Sequence, residues 1–221
     1  RSRSSLLSHI LGSNEEICGY SELSISYKSF FSLIDQKIAL HQDGLHFDSS
    51  KILFDKLLHR FYDFKSSTEL DKASSNVIIM LRQPEATIKS IVTMGGREGN
   101  ERYSDVNYAC DYYSQRLSSL VSFSKKLNKF VYLNSDDIVN ETERTLLHLS
   151  RVLNLKSPLS KEYSSFNKTG KEKSGDTSEN IKVGKVIKTK ENNEVLVPDS
   201  VIKMLNKKYL EATDLMKSKS L

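Results

Sequence analysis

Long apolar runs, prolines, glycines and cysteines are all scarce in this chain, and each scarcity excludes a class of protein. No stretch of its 221 residues approaches the ~20 apolar residues that a membrane-spanning helix needs, so no membrane span is expected. Three prolines and nine glycines leave no long Pro/Gly linkers. The two cysteines, Cys18 and Cys110, give neither a disulfide framework nor a metal-type or redox spacing, which points to a reducing, cytoplasmic setting. No ligand cluster for a metal is visible, and no metal is expected.

What is present reads as globular: 38% of residues are hydrophobic and 28% charged. The length suits one full α/β domain and is too short for two comfortable ones, so a single domain over residues 1–221 is expected. The net charge of +5 is unevenly placed. Residues 1–155 hold 19 Lys/Arg against 19 Asp/Glu, whereas residues 156–221 hold 14 Lys against 9 acids. A basic flank of this kind suits a polyanionic small molecule, nucleic acid or an anionic surface, and equally a solvated lysine-rich face. The aromatic interleaving of single-strand binders is missing there, so no nucleic-acid partner is expected.

Apolar spacing predicts a helix through Leu6, Leu7, Ile10 and Leu11, stopped at Gly12-Ser13-Asn14. A short apolar piece, Ile17 to Tyr20, then leads to Ser21-Glu22. Phe30, Phe31, Ile34 and Ile38 mark a second helix, and Ile52-Leu53-Phe54 a buried strand. Val77–Leu81 is the clearest strand, a continuous apolar run of the kind found when both sheet faces are covered. A helix is predicted from Pro84, a mobile loop over Gly95–Ser104, a long helix over roughly 105–127 and a strand over Phe130–Leu133. A further helix spans Glu141–Leu153. Residues 156–197 read as irregular, and Pro198 opens a last helix. Strands alternating with helices predict an α/β fold, a parallel sheet flanked by helices on both faces.

Two segments carry phosphate chemistry. Arg1-Ser2-Arg3-Ser4-Ser5 stands directly before a helix, where backbone N–H groups, hydroxyls and the positive end of the helix dipole converge. The same residues would also serve as a plain helix cap. The loop lacks the glycines and the Lys-Ser/Thr ending of a Walker A loop. Arg82 follows the strand Val77–Leu81, at the edge where ligands bind in open α/β sheets. Ser90 lies eight positions on, near the same face of the next helix. A guanidinium and a hydroxyl so placed can grip one phosphate, although Arg82 could as well pair with an acid while Ser90 packs quietly.

Together these elements resemble the sulfotransferases that use 3′-phosphoadenosine-5′-phosphosulfate (PAPS). Strand, Arg-x-Pro, then Ser eight after the Arg, is similar to that family's 3′-phosphate element. Arg-Ser-x-Ser-Ser-Leu resembles its 5′-phosphosulfate loop, written Arg/Lys-Ser-Gly-Thr/Ser-Thr/Ser. Phe130 to Ile138, Glu141 and Leu146–Leu155 resemble the strand and helix that follow. The match covers about 155 of 221 residues in the family's order. It departs at Arg3, which replaces the loop glycine and could add a cation, and the strand that feeds the loop is expected upstream of Arg1.

The resemblance implies PAPS as sulfuryl donor, held by Arg1, Ser2, Arg3, Ser4, Ser5 and Leu6 at one end and by Arg82 and Ser90 at the other. It gives Glu22, 17 residues beyond Ser5, the role of base toward a hydroxyl-bearing small-molecule or glycan acceptor. Lys56, just past a strand end, would neutralise the leaving phosphate, and His59 is the rival base. Lys182 and Lys185, in Lys-Val-Gly-Lys, resemble a late segment that closes over the nucleotide. Two other readings stand beside it: a binding module that kept the fold without catalysis, and a kinase, which should show a Gly-Lys-Ser/Thr loop that is absent here.

Overall fold

The computed structural model describes residues 2–29, 31–57, 75–171, 178–188 and 194–221. It resolves into two compact units, one built from Arg3–Asn76 and Asp136–Lys188, the other from Arg1–Ser2, Val77–Ser135 and Thr189–Leu221.

In the first unit, helix α1 (Ser4–Gly12) buries Leu7, Ile10 and Leu11, the residues whose spacing predicted it. Strand β1 (Ile17–Cys18) follows and pairs in parallel with β2 (Ile52–Leu53), Ile17 opposite Ile52. Gly12 lets the helix lie against the chain after β1, because a Cβ there would stand 2.6 Å from the Gly19 carbonyl and from Tyr20 Cβ. Between the strands lies α2 (Ser32–Gln42). The helix forms where expected, but it buries Ser32, Gln36 and Leu40 and leaves Phe31, Ile34 and Ile38 exposed. Later parts of the chain complete this unit with α6 (Asp137–Asn140), α7 (Thr142–Val152) and a 3-10 turn over Glu179–Val183. Leu146 and Leu149 are the buried stripe of α7.

The second unit pairs β3 (Ile78–Leu81) in parallel with β4 (Val131–Asn134), Leu81 opposite Asn134. Ile79, Leu81, Val131 and Leu133 are buried. Helix α3 (Pro84–Arg97) packs on α5 (Val106–Ser124) and α8 (Asp199–Lys219), with Ile88 and Ile91 inward. Each such side chain contributes about 1.5–3 kcal/mol on full burial. The end of α8 returns to β4: Ser220 Oγ accepts from the Tyr132 amide at 2.8 Å, and the Leu221 amide donates to Phe130 at 3.0 Å.

Two expectations need correction. The α/β class and the parallel strand direction hold, but the described strands form two separate pairs, not one sheet flanked by helices on both faces. The apolar runs signal strands; their partners depend on contacts far apart in sequence. Residues 95–104 are also no open loop. Helix α3 runs through Gly95 to Arg97, and the short α4 (Glu101–Ser104) follows, its Tyr103 amide capped by Asn100 Oδ1 at 3.2 Å. Gly95 is there for close packing, since a Cβ would lie 2.5 Å from Ser104 N. Among the described residues no helix is long and apolar enough to cross a membrane.

Candidate active site

Parallel strands end at a common edge, and the first unit uses that edge. Backbone pairing runs past the ends of β1 and β2: the Phe54 amide donates to Cys18 at 2.8 Å and the Lys56 amide to Ser21 at 3.3 Å. Glu22 and Lys56 therefore leave the strands side by side. Helix α1 precedes β1 and runs back along it, so its first turn returns to the same edge. There Lys56 Nζ donates to Ser5 Oγ at 3.2 Å and stands 2.7 Å from Glu22 Oε1.

The Lys56 and Glu22 side chains are only 9% and 13% exposed, so the pair is largely withdrawn from water. Removing either partner from such a pair leaves an uncompensated charge, whereas together they hold each other in one geometry. The N–H groups of Ser4, Ser5 and Leu6 have no partner within the helix. The next amide, Leu7, already donates to Arg3 at 3.2 Å. Hydroxyl, ammonium and helix N-terminus thus converge on one spot beside a carboxylate: an anion could be held there, and a proton taken from a neighbouring group.

Asp55 backs this cluster. Its Oδ1 accepts from the Leu23 amide at 2.9 Å and its Oδ2 from the Tyr27 hydroxyl at 2.8 Å. Burial pushes the Asp55 carboxyl above the usual carboxylate range, and the Glu22 charge adds to this, while its hydrogen bonds pull the other way. The folded value lying above the unfolded one, the folded state keeps its proton longer. Ionised Asp55 is therefore a destabilising charge, fully felt above the folded value and absent below the ordinary carboxylate range.

Arg3 takes a left-handed conformation, φ 57° and ψ 19°, a region that favours glycine. An L-residue pays steric strain there. Its guanidinium does not cap α1 but turns to Asp136, Nε to Oδ1 at 3.1 Å. On the buried side of the helix, His9 Nδ1 donates to the Ser5 carbonyl at 2.8 Å and Nε2 meets the Thr169 hydroxyl at 2.9 Å. Tyr20, Tyr163 and Phe166 pack around that imidazole.

Of the other sequence-predicted residues, Ser2, Ser4 and Leu6 lie half-buried in or beside the loop. Arg82 and Ser90 belong to the second unit, both half-buried. Arg82 follows β3 at the strand edge, where Nη1 donates to the Ala86 carbonyl at 3.2 Å and its own carbonyl accepts from Tyr113. Lys182 pairs with Glu179 at 2.7 Å on the surface, and exposed Lys185 forms an isolated antiparallel bridge with Glu162. Neither contact draws these lysines to Ser5, Lys56 and Glu22. Arg1 and His59 lie outside the described residues.

Sequence reasoning missed Asp55, Tyr27 and Asp136. Asp55 had one signal, its place directly before Lys56; Tyr27 and Asp136 had none. Among the described residues no group of three His, Cys, Asp or Glu side chains comes together as a metal site requires. No family model matches the chain, and no curated protein matches it.

Proposed function

We propose that this chain is a PAPS-dependent sulfotransferase with a sulfotransferase-like nucleotide-binding fold, transferring a sulfuryl group to a hydroxyl of its acceptor. The observation that carries the proposal is Lys56, held between Ser5 at the start of α1 and Glu22, four residues beyond β1. In this reading the α1 N-terminus and Ser5 receive the phosphosulfate. The Glu22 carboxylate accepts the acceptor's proton as its oxygen bonds to sulfur. The bond from sulfur to the bridging oxygen breaks, and Lys56 neutralises the charge left on the departing adenosine 3′,5′-bisphosphate (PAP). Catalysis of this type is mostly positioning and charge stabilisation. The cytoplasmic setting belongs to the same proposal; Cys18 and Cys110 are buried thiols.

Nucleotide choice tests it first. At a concentration 100 times its Kd, PAP should stabilise the protein by about 2.7 kcal/mol. At roughly 2–4 °C per kcal/mol for a chain of this size, the melting temperature should rise about 5–10 °C. AMP, or ATP with magnesium, should shift it far less. An equal or larger shift with ATP would favour the kinase reading.

Arg82→Ala should weaken PAP binding by about 1.5–3 kcal/mol, the worth of a hydrogen bond to a charged group, or roughly 10–150-fold in Kd. Ser90→Ala should weaken it less, by about 0.5–1.5 kcal/mol. Titration calorimetry giving unchanged affinity for Arg82→Ala would withdraw Arg82 from the nucleotide site.

A further inference from the structure

The chain immediately after Glu22 has no regular structure to hold it. Residues 22–26 belong to no helix or strand, and Ser24 sits at a positive φ of 59°. A carboxylate used as a base must nevertheless stay where the reacting proton will be, and a displacement of about 1 Å can lower a rate 10²-fold. The anchor is Asp55. One of its oxygens holds the amide of Leu23, the residue next to Glu22, and the other holds the hydroxyl of Tyr27. Tyr27 is 5% exposed, and burial and the Asp55 charge push its phenol up, so it stays a donor. Farther along, Ser32 Oγ donates to Ser26 and accepts from the Lys28 amide, which ties the end of the segment to α2.

We propose that Asp55 is the positioning residue of this site, clamping the Glu22 segment through Leu23 and Tyr27 so that the Glu22 carboxylate stands against Lys56 and Ser5. The inference rests on the sulfotransferase reading, in which Glu22 is the base. Asp55 makes two hydrogen bonds toward the Glu22 segment and lies two residues beyond β2, so it transmits the position of one strand end to the other. The groups around it are Glu22, Tyr27 and its neighbour Lys56.

The test compares the unmutated chain with Asp55→Ala, Asp55→Asn and Tyr27→Phe. Three quantities are followed: sulfate released from labelled PAPS with water as acceptor, PAP affinity by calorimetry, and hydrogen exchange of the Leu23 amide. Asp55→Ala should lower kcat about 10–100-fold, leave PAP affinity within about 2-fold, and speed Leu23 exchange at least ~10-fold. Asp55→Asn should restore all three to within ~3-fold, because its carbonyl can accept from Leu23 and its NH2 can donate to the Tyr27 oxygen. Tyr27→Phe keeps one anchor and should fall between, which also serves if Asp55→Ala does not fold. A folded Asp55→Ala with unchanged kcat, or with kcat and PAP affinity falling together, overturns the proposal. So does an Asp55→Asn that is as slow as Asp55→Ala. An unmutated chain that neither binds PAP nor releases sulfate overturns the sulfotransferase reading instead. The clamp is then judged by exchange alone, and unchanged Leu23 exchange in Asp55→Ala overturns it.

Discussion

Glu22→Gln is expected to lower sulfuryl transfer from PAPS by about 10²–10⁴-fold, the range a positioned base supplies. The substitution is nearly isosteric, and the amide oxygen can still accept from Lys56 Nζ, which stands 2.7 Å from Glu22 Oε1. The site should therefore keep its shape while losing its capacity to take a proton, with the Lys56 ammonium left uncompensated at a cost in stability and not in geometry. PAP affinity should stay nearly constant, so the loss falls on kcat and on kcat/KM alike, the pattern of an interaction made only in the transition state. His59→Asn is the control for the rival base and should cost far less. Steady-state turnover of labelled PAPS, with calorimetry on PAP, separates the outcomes. A Glu22→Gln enzyme at full speed beside a dead His59→Asn enzyme would transfer the role to His59.

The second large effect is structural. Gly19 has φ +119°, and a Cβ on it would stand 2.2 Å from the Phe54 carbonyl oxygen and 3.1 Å from its carbon. These are backbone atoms just beyond β2, so no side chain can move aside. Gly19→Ala should destabilise the protein by roughly 4 kcal/mol, from backbone strain together with forced separation of the two chain segments. Because Glu22 and Lys56 leave those segments, the damage should reach the ion pair too. Gly96 is the matched control: nothing lies within 4 Å of its Cβ position, and it sits inside α3. Gly96→Ala should stabilise by about 0.5–1 kcal/mol through helix propensity. Urea unfolding gives both numbers, and a Gly19→Ala midpoint equal to that of the unmutated chain would contradict the close approach of β1 and β2.

Those glycines also show what the sequence could and could not convey. The helix over Leu6–Leu11 and the strands at Ile52, Val77 and Phe130 were legible because apolar spacing is a local signal. Glu22 and Lys56 were singled out by the family resemblance and not by spacing; the structure sets Lys56 against both Ser5 and Glu22. Gly95 and Gly96 read as a loop because glycine is a weak helix former, yet Gly95 is needed beneath Tyr103 and Ser104. Tertiary packing outweighed propensity there. For α2, spacing identified a helix but not its inward face, which turned out to carry Ser32, Gln36 and Leu40. Asp55 and Tyr27 stayed hidden because their bonds, to Leu23 and to each other, join residues 32 and 28 apart in the chain, and no pattern within a window records them.

The long-range bonds of helix α1 set the order in which this site is completed during synthesis. Ser5, Glu22 and Lys56 all lie within the first 56 residues of the chain, yet α1 is secured by residues that follow much later. Asn14 donates to the Ser157 carbonyl, the Ser164 amide donates to Ser13 Oγ, and Thr169 meets His9, separations of 143, 151 and 160 residues. Contacts of such range close large loops before they return stabilisation, and they slow folding. A nascent chain that already holds the whole cluster therefore leaves the aromatic and apolar side of α1 uncovered until Thr169 has been added. Through that interval the exposed segment is open to chaperones and to aggregation. Ser5, Glu22 and Lys56 are thus translated well before the residues that secure α1 beside them.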